Sequence, residues 1–177
     1  MKLSNTVVRR VVTGHNAAGK SIVLVDDMTE PVETSTVNST RMWTANSHPP
    51  KTHGVEEAMA FADRMEPLGS NFLLLFVPPD DPNLSIEEME SQWAARFDAI
   101  GEGHIRIDTS KHPRMHKTRT IDYLAVLSGE VTLLLDEEEV VLKPFDTIVQ
   151  QATNHGWVNR TKEPAVMVVI MTGQDLT

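Results

Sequence analysis

The 177-residue chain contains no cysteine, which excludes disulfides, thiolate metal sites and cysteine nucleophiles and leaves the redox compartment open. It has no basic excess either. Sixteen Lys and Arg against 25 Asp and Glu give a net charge of −9, which argues against a nucleic-acid backbone or an anionic membrane surface as partner. Long apolar runs are also missing: Phe72 to Val77 and Ala165 to Met171 are strand-sized and too short to span a bilayer. Arg9 and Arg10 interrupt the apolar stretch that a signal peptide would need near the N-terminus. These absences predict a soluble, cytoplasmic protein long enough to bury a core of its own.

Val7 to Val12 and Ser21 to Val25 are β-branched around a turn-like Gly14–Gly19 segment, which predicts a hairpin. The same segment, Gly14-His-Asn-Ala-Ala-Gly19-Lys20-Ser21, matches a phosphate-binding loop letter for letter. That chemistry needs a helix opening at the Lys-Ser pair, whereas Ile22-Val-Leu-Val25 favours a strand, so the match is read as coincidence. Residues 26–54, rich in Thr, Ser, Asn and Pro, predict an irregular arm with one short strand around Trp43. Such an arm buries too little to order itself and often packs on a neighbouring subunit. Val55 to Met65 has moderate helical character.

Phe72-Leu-Leu-Leu-Phe-Val77 lacks polar alternation and reads as a strand buried on both faces. Ser85-x-x-Glu88 is a capping box, and Met89, Trp93, Phe97 and Ile100 form one stripe ending at Gly101. This predicts a helix inserted into a β chain and packed against the outside of a barrel.

From His116 to Asn159 short apolar strands alternate with polar turns, a β-meander between two polar clusters that each hold one histidine. Residues an even number apart on an extended chain share a face. His116, Thr118, Thr120 and Asp122 therefore form one polar set, and His155, Trp157 and Asn159 another. If the two strands neighbour each other, His116, Asp122 and His155 form a two-His, one-carboxylate triad suited to Fe(II). The plainer alternative is a pair of hydrogen-bonded strand histidines and an aspartate that binds backbone amides. Of the remaining histidines, His112 precedes Pro113, His48 and His53 lie in the arm, His15 in a turn and His104 after a helix end. None is assigned a role.

The stretch resembles the two motifs of the cupin superfamily. The first motif places His-x-His ahead of a Glu and then a Gly, and this chain has His116, Thr118, Asp122 and Gly129 in those places. The second ends in His-x-x-x-Asn, matched by His155 and Asn159, while its Pro-x-Gly stands here as Gln150-Gln-Ala152 and its leading Gly as Phe145. The resemblance covers roughly residues 72–171. It implies an all-β fold, a cupin-type double-stranded β-helix or jelly-roll barrel with an N-terminal arm and one helical insertion. Residues 1–70 would form the hairpin and arm, and 71–177 the barrel, with the insertion at about 85–101.

Cupins typically hold a metal with three His and one Glu. Thr118 and Asp122 stand in place of one His and the Glu, so two outcomes follow. In the first, His116, Asp122 and His155 bind a divalent ion, iron first and zinc, nickel or manganese next. The protein is then a metal-dependent enzyme acting on a small organic acid or aromatic compound by oxygenase, isomerase or lyase chemistry. In the second, no metal is bound and the pocket takes a small molecule without turnover. Thr118, Arg119, Tyr123, Trp157 and Asn159 are the candidate substrate contacts, with Lys117, Arg119 or Arg106 as anchors for an anion. A homodimer is expected in either case.

Overall fold

The structure is a computed structural model that describes residues 7–29, 39–47 and 69–173. His48, His53 and the helix expected over 55–65 lie outside the described residues. Near the N-terminus β1 (Arg9–His15) and β2 (Ser21–Met28) pair antiparallel. Asn16 closes their turn by accepting hydrogen bonds at Oδ1 from the amides of Ala18 and Lys20, each at 3.0 Å. Lys20-Ser21 thus leads into a strand, and the phosphate-loop match is coincidental.

Ten strands make up nearly half of the described residues. β3 (Ser39–Ala45), β4 (Ser70–Val77), β5 (Thr120–Ser128), β8 (Thr147–Gln151) and β10 (Ala165–Gly173) form a five-stranded sheet in the order β3-β4-β10-β5-β8. β6 (Val131–Leu135), β7 (Glu139–Leu142) and β9 (His155–Val158) form a three-stranded sheet in the order β7-β6-β9. The strand expected around Trp43 is β3, an edge strand of the larger sheet. The region between the histidines is not a meander, because β8 leaves β7 to pair with β5 while β9 returns to β6. That crossing between sheets is what makes the architecture a jelly roll.

One core joins the two sheets. Val77, Leu124, Val126, Met167 and Val169 from the larger sheet meet Val131, Leu133, Leu142 and Trp157 from the smaller. Alternation along each strand aims these side chains at one another. β4 meets the expectation of burial on both faces at its far end and departs from it at Phe72. Val77 lies in the core and Phe76, on the opposite face, is 3% exposed, whereas Phe72 on that same face is 39% exposed.

The turn from β5 to β6 requires Gly129. Its φ is +74°, and an added Cβ would stand 2.5 Å from the carbonyl oxygen of Pro164.

The single α-helix among the described residues, α1 (Ile86–Ala99), starts and stops where the sequence indicates. Ser85 Oγ accepts from the Glu88 amide at 3.2 Å and Glu88 Oε2 accepts from the Ser85 amide at 2.9 Å. At the far end Gly101, with φ +75°, donates to Asp98 O and Glu102 donates to Phe97 O, which satisfies two terminal carbonyls. Met89 and Phe97 are the buried residues of its stripe. No described helix is long and apolar enough to cross a membrane.

Candidate functional site

His116 and His155 face each other directly. Each donates its backbone amide to the other's carbonyl, at 2.8 and 2.9 Å, a two-residue antiparallel bridge at the edge of β9. The imidazole centroids are 4.3 Å apart. His155 meets the Trp157 ring edge-on at 5.8 Å, on the face of β9 that contributes to the core.

Both rings are held in one tautomer. His116 Nδ1 lies 2.9 Å from the carbonyl oxygen of Arg114, and His155 Nδ1 lies 3.0 Å from that of Thr153. A carbonyl only accepts, so each Nδ1 carries the hydrogen and each Nε2 presents a lone pair. Burial pushes the His116 pKa down to about 4, with the positive charge of Arg106 adding to the effect and the Arg114 carbonyl opposing it. Burial and then the neighbouring His116 hold His155 well below the usual range. The pair is neutral at physiological pH.

The polar set on the incoming strand has the alternation expected. His116, Thr118, Thr120 and Asp122 are all buried, while Lys117 and Arg119 between them are exposed. Thr118 Oγ1 is 2.7 Å from Thr120 Oγ1, and the Thr120 hydroxyl bonds to the Asp122 carboxyl. With Asp122 ionised, the direction is fixed: Thr118 donates to Thr120 and Thr120 donates to Asp122. Burial raises the Asp122 pKa to about 6, the Thr120 bond opposing it. Asp122 Oδ1 is buried with no hydrogen-bond partner.

Asp122 nevertheless stands apart from the histidines. Between His116 and Thr120 the chain crosses from the three-stranded sheet, where His116 bridges β9, to the five-stranded sheet, where Asp122 pairs with Met171 and Gln150. Among the described residues no three His, Asp or Glu side chains stand together in a group able to hold one ion. Two of the three expected ligands are brought together, and the third lies in the other sheet.

The other sequence candidates divide. Trp157 is buried beside His155 and Thr118 is buried beside Thr120. Arg119 is exposed on the outer side of its strand, and Tyr123, one residue past Asp122, is 50% exposed on the outer face. Asn159 is a brace. Its Nδ2 donates to Val77 O at 2.9 Å and Glu163 O at 2.8 Å, while its Oδ1 accepts from the amide and hydroxyl of Thr161. All its bonding capacity ties β9 to β4 and to the following turn.

Three contributors were missed from sequence. The Phe97 ring lies 5.2 Å from that of His116, so α1 reaches a site residue instead of merely lying against the outside of the barrel. Arg114 connects the parts around it: its guanidinium pairs with Asp80 at 2.7 Å, donates to Trp157 O at 2.9 Å and stacks on Trp93 at 5.0 Å. Gly156 allows this, since an added Cβ would lie 3.3 Å from the Arg114 carbonyl. Gln150, opposite Asp122, donates to Thr153 O at 3.1 Å, the carbonyl that orients His155. Only the helical stripe of Phe97 signalled any of these roles in advance.

The described strands thus form an all-β, antiparallel jelly roll with a buried polar set. Residues 103–171 match the family described as Cupin domain. It is 46% identical over 59 residues to "Phomopsin biosynthesis cluster protein C'" of Diaporthe leptostromiformis, covering 33% of this chain and 31% of that protein. It is 26% identical over 160 residues to the "Cupin-domain-containing oxidoreductase fogC" of Aspergillus ruber, covering 87% of this chain and 65% of that one. The chain thus spans less than two thirds of either relative. Among solved structures, a Cupin 2 conserved barrel domain protein from Salinispora arenicola is similar at 9% identity and a TM-score of 0.40, covering 78% of this chain and 76% of that one.

Proposed function

We propose that this chain is a cupin enzyme of the oxidoreductase kind, acting on a small uncharged aromatic compound with a divalent metal ion held at His116 and His155. The carrying observation is the imidazole pair: two neutral, buried rings 4.3 Å apart, each locked through Nδ1 to a backbone carbonyl. That second-sphere pattern characterises metal-binding histidines, and it leaves both Nε2 lone pairs available. Two imidazole nitrogens suit iron, with zinc, nickel or manganese next. When bound, the ion supplies Lewis acidity to a substrate oxygen. The oxidoreductase class is supported by the name given to the Aspergillus ruber relative.

The chain's own residues do the rest. Trp157 and Phe97 flank the pair with aromatic surface that excludes water. Asp122, oriented by Thr120 and mostly ionised at neutral pH, accepts a substrate hydroxyl proton at its unpaired Oδ1. An uncharged substrate is favoured over an organic acid. Lys117 and Arg119 point outward, Arg106 is engaged by Glu90 and Arg114 by Asp80, and the carboxylate of Asp122 would repel another.

Elemental analysis of untagged protein purified without chelator tests this reading. Near-stoichiometric metal that disappears in His155→Ala is expected; no metal in the wild type, and none taken up on reconstitution, would overturn it. The second reading is a metal-free cupin that binds a small molecule without turnover, favoured by the position of Asp122 in the opposite sheet. It expects the melting temperature to rise with phenolic ligands and to ignore chelator.

A further inference from the structure

His116 is 8% exposed and His155 only 3%, so the imidazole pair stands behind a closed wall. A ligand reaches either Nε2 only after some element has moved. The sheets are poorly suited to that movement, because their strands share one core and β9 is bonded to the backbone of His116. The described element that covers His116 and belongs to neither sheet is α1, which lays the Phe97 ring 5.2 Å from the imidazole.

α1 is lightly held. Of its 14 residues only Met89 and Phe97 are buried, and Ile86 is 60% exposed. A segment with so few buried apolar contacts opens at a free energy well below that of the whole fold. Two contacts fasten its middle. Glu90 accepts from Arg106 Nη2 at 2.8 and 2.7 Å, and the Trp93 ring lies 5.0 Å from the Arg114 guanidinium. Both partners are themselves fixed, Arg106 by donating to Pro113 O at 2.9 Å and Arg114 by donating to Trp157 O at 2.9 Å.

The chain is anchored on either side of the helix. Upstream, Asp80 donates its amide to Asn159 O at 2.8 Å. Downstream, Ile105 is 2% exposed and its carbonyl accepts from the Lys117 amide at 2.8 Å. Short connections join these anchors to α1. The turn through Pro82 and Asn83 lies before it, and Gly101 after it, with φ +75° and nothing within 4 Å of an added Cβ.

We infer that α1 is a lid over the histidine pair, with Phe97 as its plug, hinged at residues 81–84 and 101–104. The Glu90–Arg106 and Trp93–Arg114 contacts are its latches. This goes beyond the metal reading and does not need it, since an ion and an organic ligand meet the same cover.

The test follows two rates in the full chain after chelator treatment: carbethoxylation of each histidine by diethyl pyrocarbonate, and amide hydrogen exchange, both read by mass spectrometry. Glu90→Ala and Trp93→Leu each remove one latch while keeping a good helix former, and circular dichroism reports whether each variant folds. In the wild type, His116 and His155 should react more slowly than the exposed His104, and α1 should exchange faster than β5 and β10. Each variant should raise the His116 reaction and the exchange of α1 together by at least about 5-fold, leaving β5 and β10 unchanged. Buried rings that react as fast as His104 in the wild type overturn the inference. So do folded variants that leave the His116 rate unaltered. A rise at His116 matched in β5 and β10 overturns it too, because the whole barrel would then be opening.

Discussion

The backbones of His116 and His155 bond to each other in both directions, at 2.8 and 2.9 Å, so the separation of their rings is set by main chain as well as by packing. The bridge fixes the two backbones, and each ring is held in addition by its own Nδ1 bond to a backbone carbonyl. The two histidines therefore act as one unit.

The proposed metal site predicts a non-additive loss of binding. His116→Ala and His155→Ala should each weaken zinc or cobalt binding by at least about 100-fold, and the double variant should be little worse than either. Isothermal titration on chelator-treated protein measures this, and additive losses would show two independent sites.

Stability should fall on acidification, through opposing contributions. The folded-state pKa of His116 is lowered to about 4 and that of His155 lies well below 6.5, so their stabilisation is present above the unfolded value and is lost as pH falls. Asp122 has the reverse sign. Its folded pKa is raised to about 6, so its contribution is present below 3.8 and lost as pH rises through 6. Asp122→Asn should therefore steepen the acid loss and raise stability near pH 8 by roughly 1–3 kcal/mol. Urea unfolding of metal-free protein between pH 4 and 8 measures both slopes.

Phe97→Ala should destabilise by about 3 kcal/mol, because it removes a side chain only 3% exposed that spans α1 and His116. The same change admits water to the histidines. The His116 C–H resonances should then titrate closer to the ordinary pKa, a shift that simple loss of helix packing away from the site would not cause.

Among the described residues two non-glycine positions have left-handed backbone, Phe145 at φ +76° and Ala152 at φ +50°. They stand where the second cupin motif has glycine. Phe145→Gly and Ala152→Gly should each stabilise by about 0.5–1 kcal/mol, strain relief exceeding the added unfolded-state entropy. Thermal melts of each variant and of the pair decide it.

Asn159→Ala should cost about 2–4 kcal/mol, since four hydrogen bonds depend on that side chain and two of its acceptors belong to buried or turn carbonyls. Metal affinity of the folded fraction should be unchanged. A selective loss of affinity would return Asn159 to the site.

Much of the architecture was legible because it is local. Ser85, Glu88 and Gly101 mark the ends of α1 through hydrogen bonds spanning a few residues. The side-chain period of two put His116, Thr118, Thr120 and Asp122 on one buried face. Strand-forming residues after Lys20 excluded a phosphate loop for the same reason. Period and propensity say which way a side chain points along its own strand. They do not say which strand lies beside it.

Pairing between strands was left to the tertiary structure, and it decided the site. That β8 crosses to β5 while β9 returns to β6 places Asp122 and the histidines in different sheets. It also sets Tyr123 in an exposed row beside Ile170 and Val149, on the side of the sheet away from Asp122, and brings Phe97 from α1 onto His116. The sequence by itself determined the elements, their buried faces and the two histidines with the means to meet. Which residues meet depended on long-range packing of two sheets, where burial of the whole core outweighs any local preference.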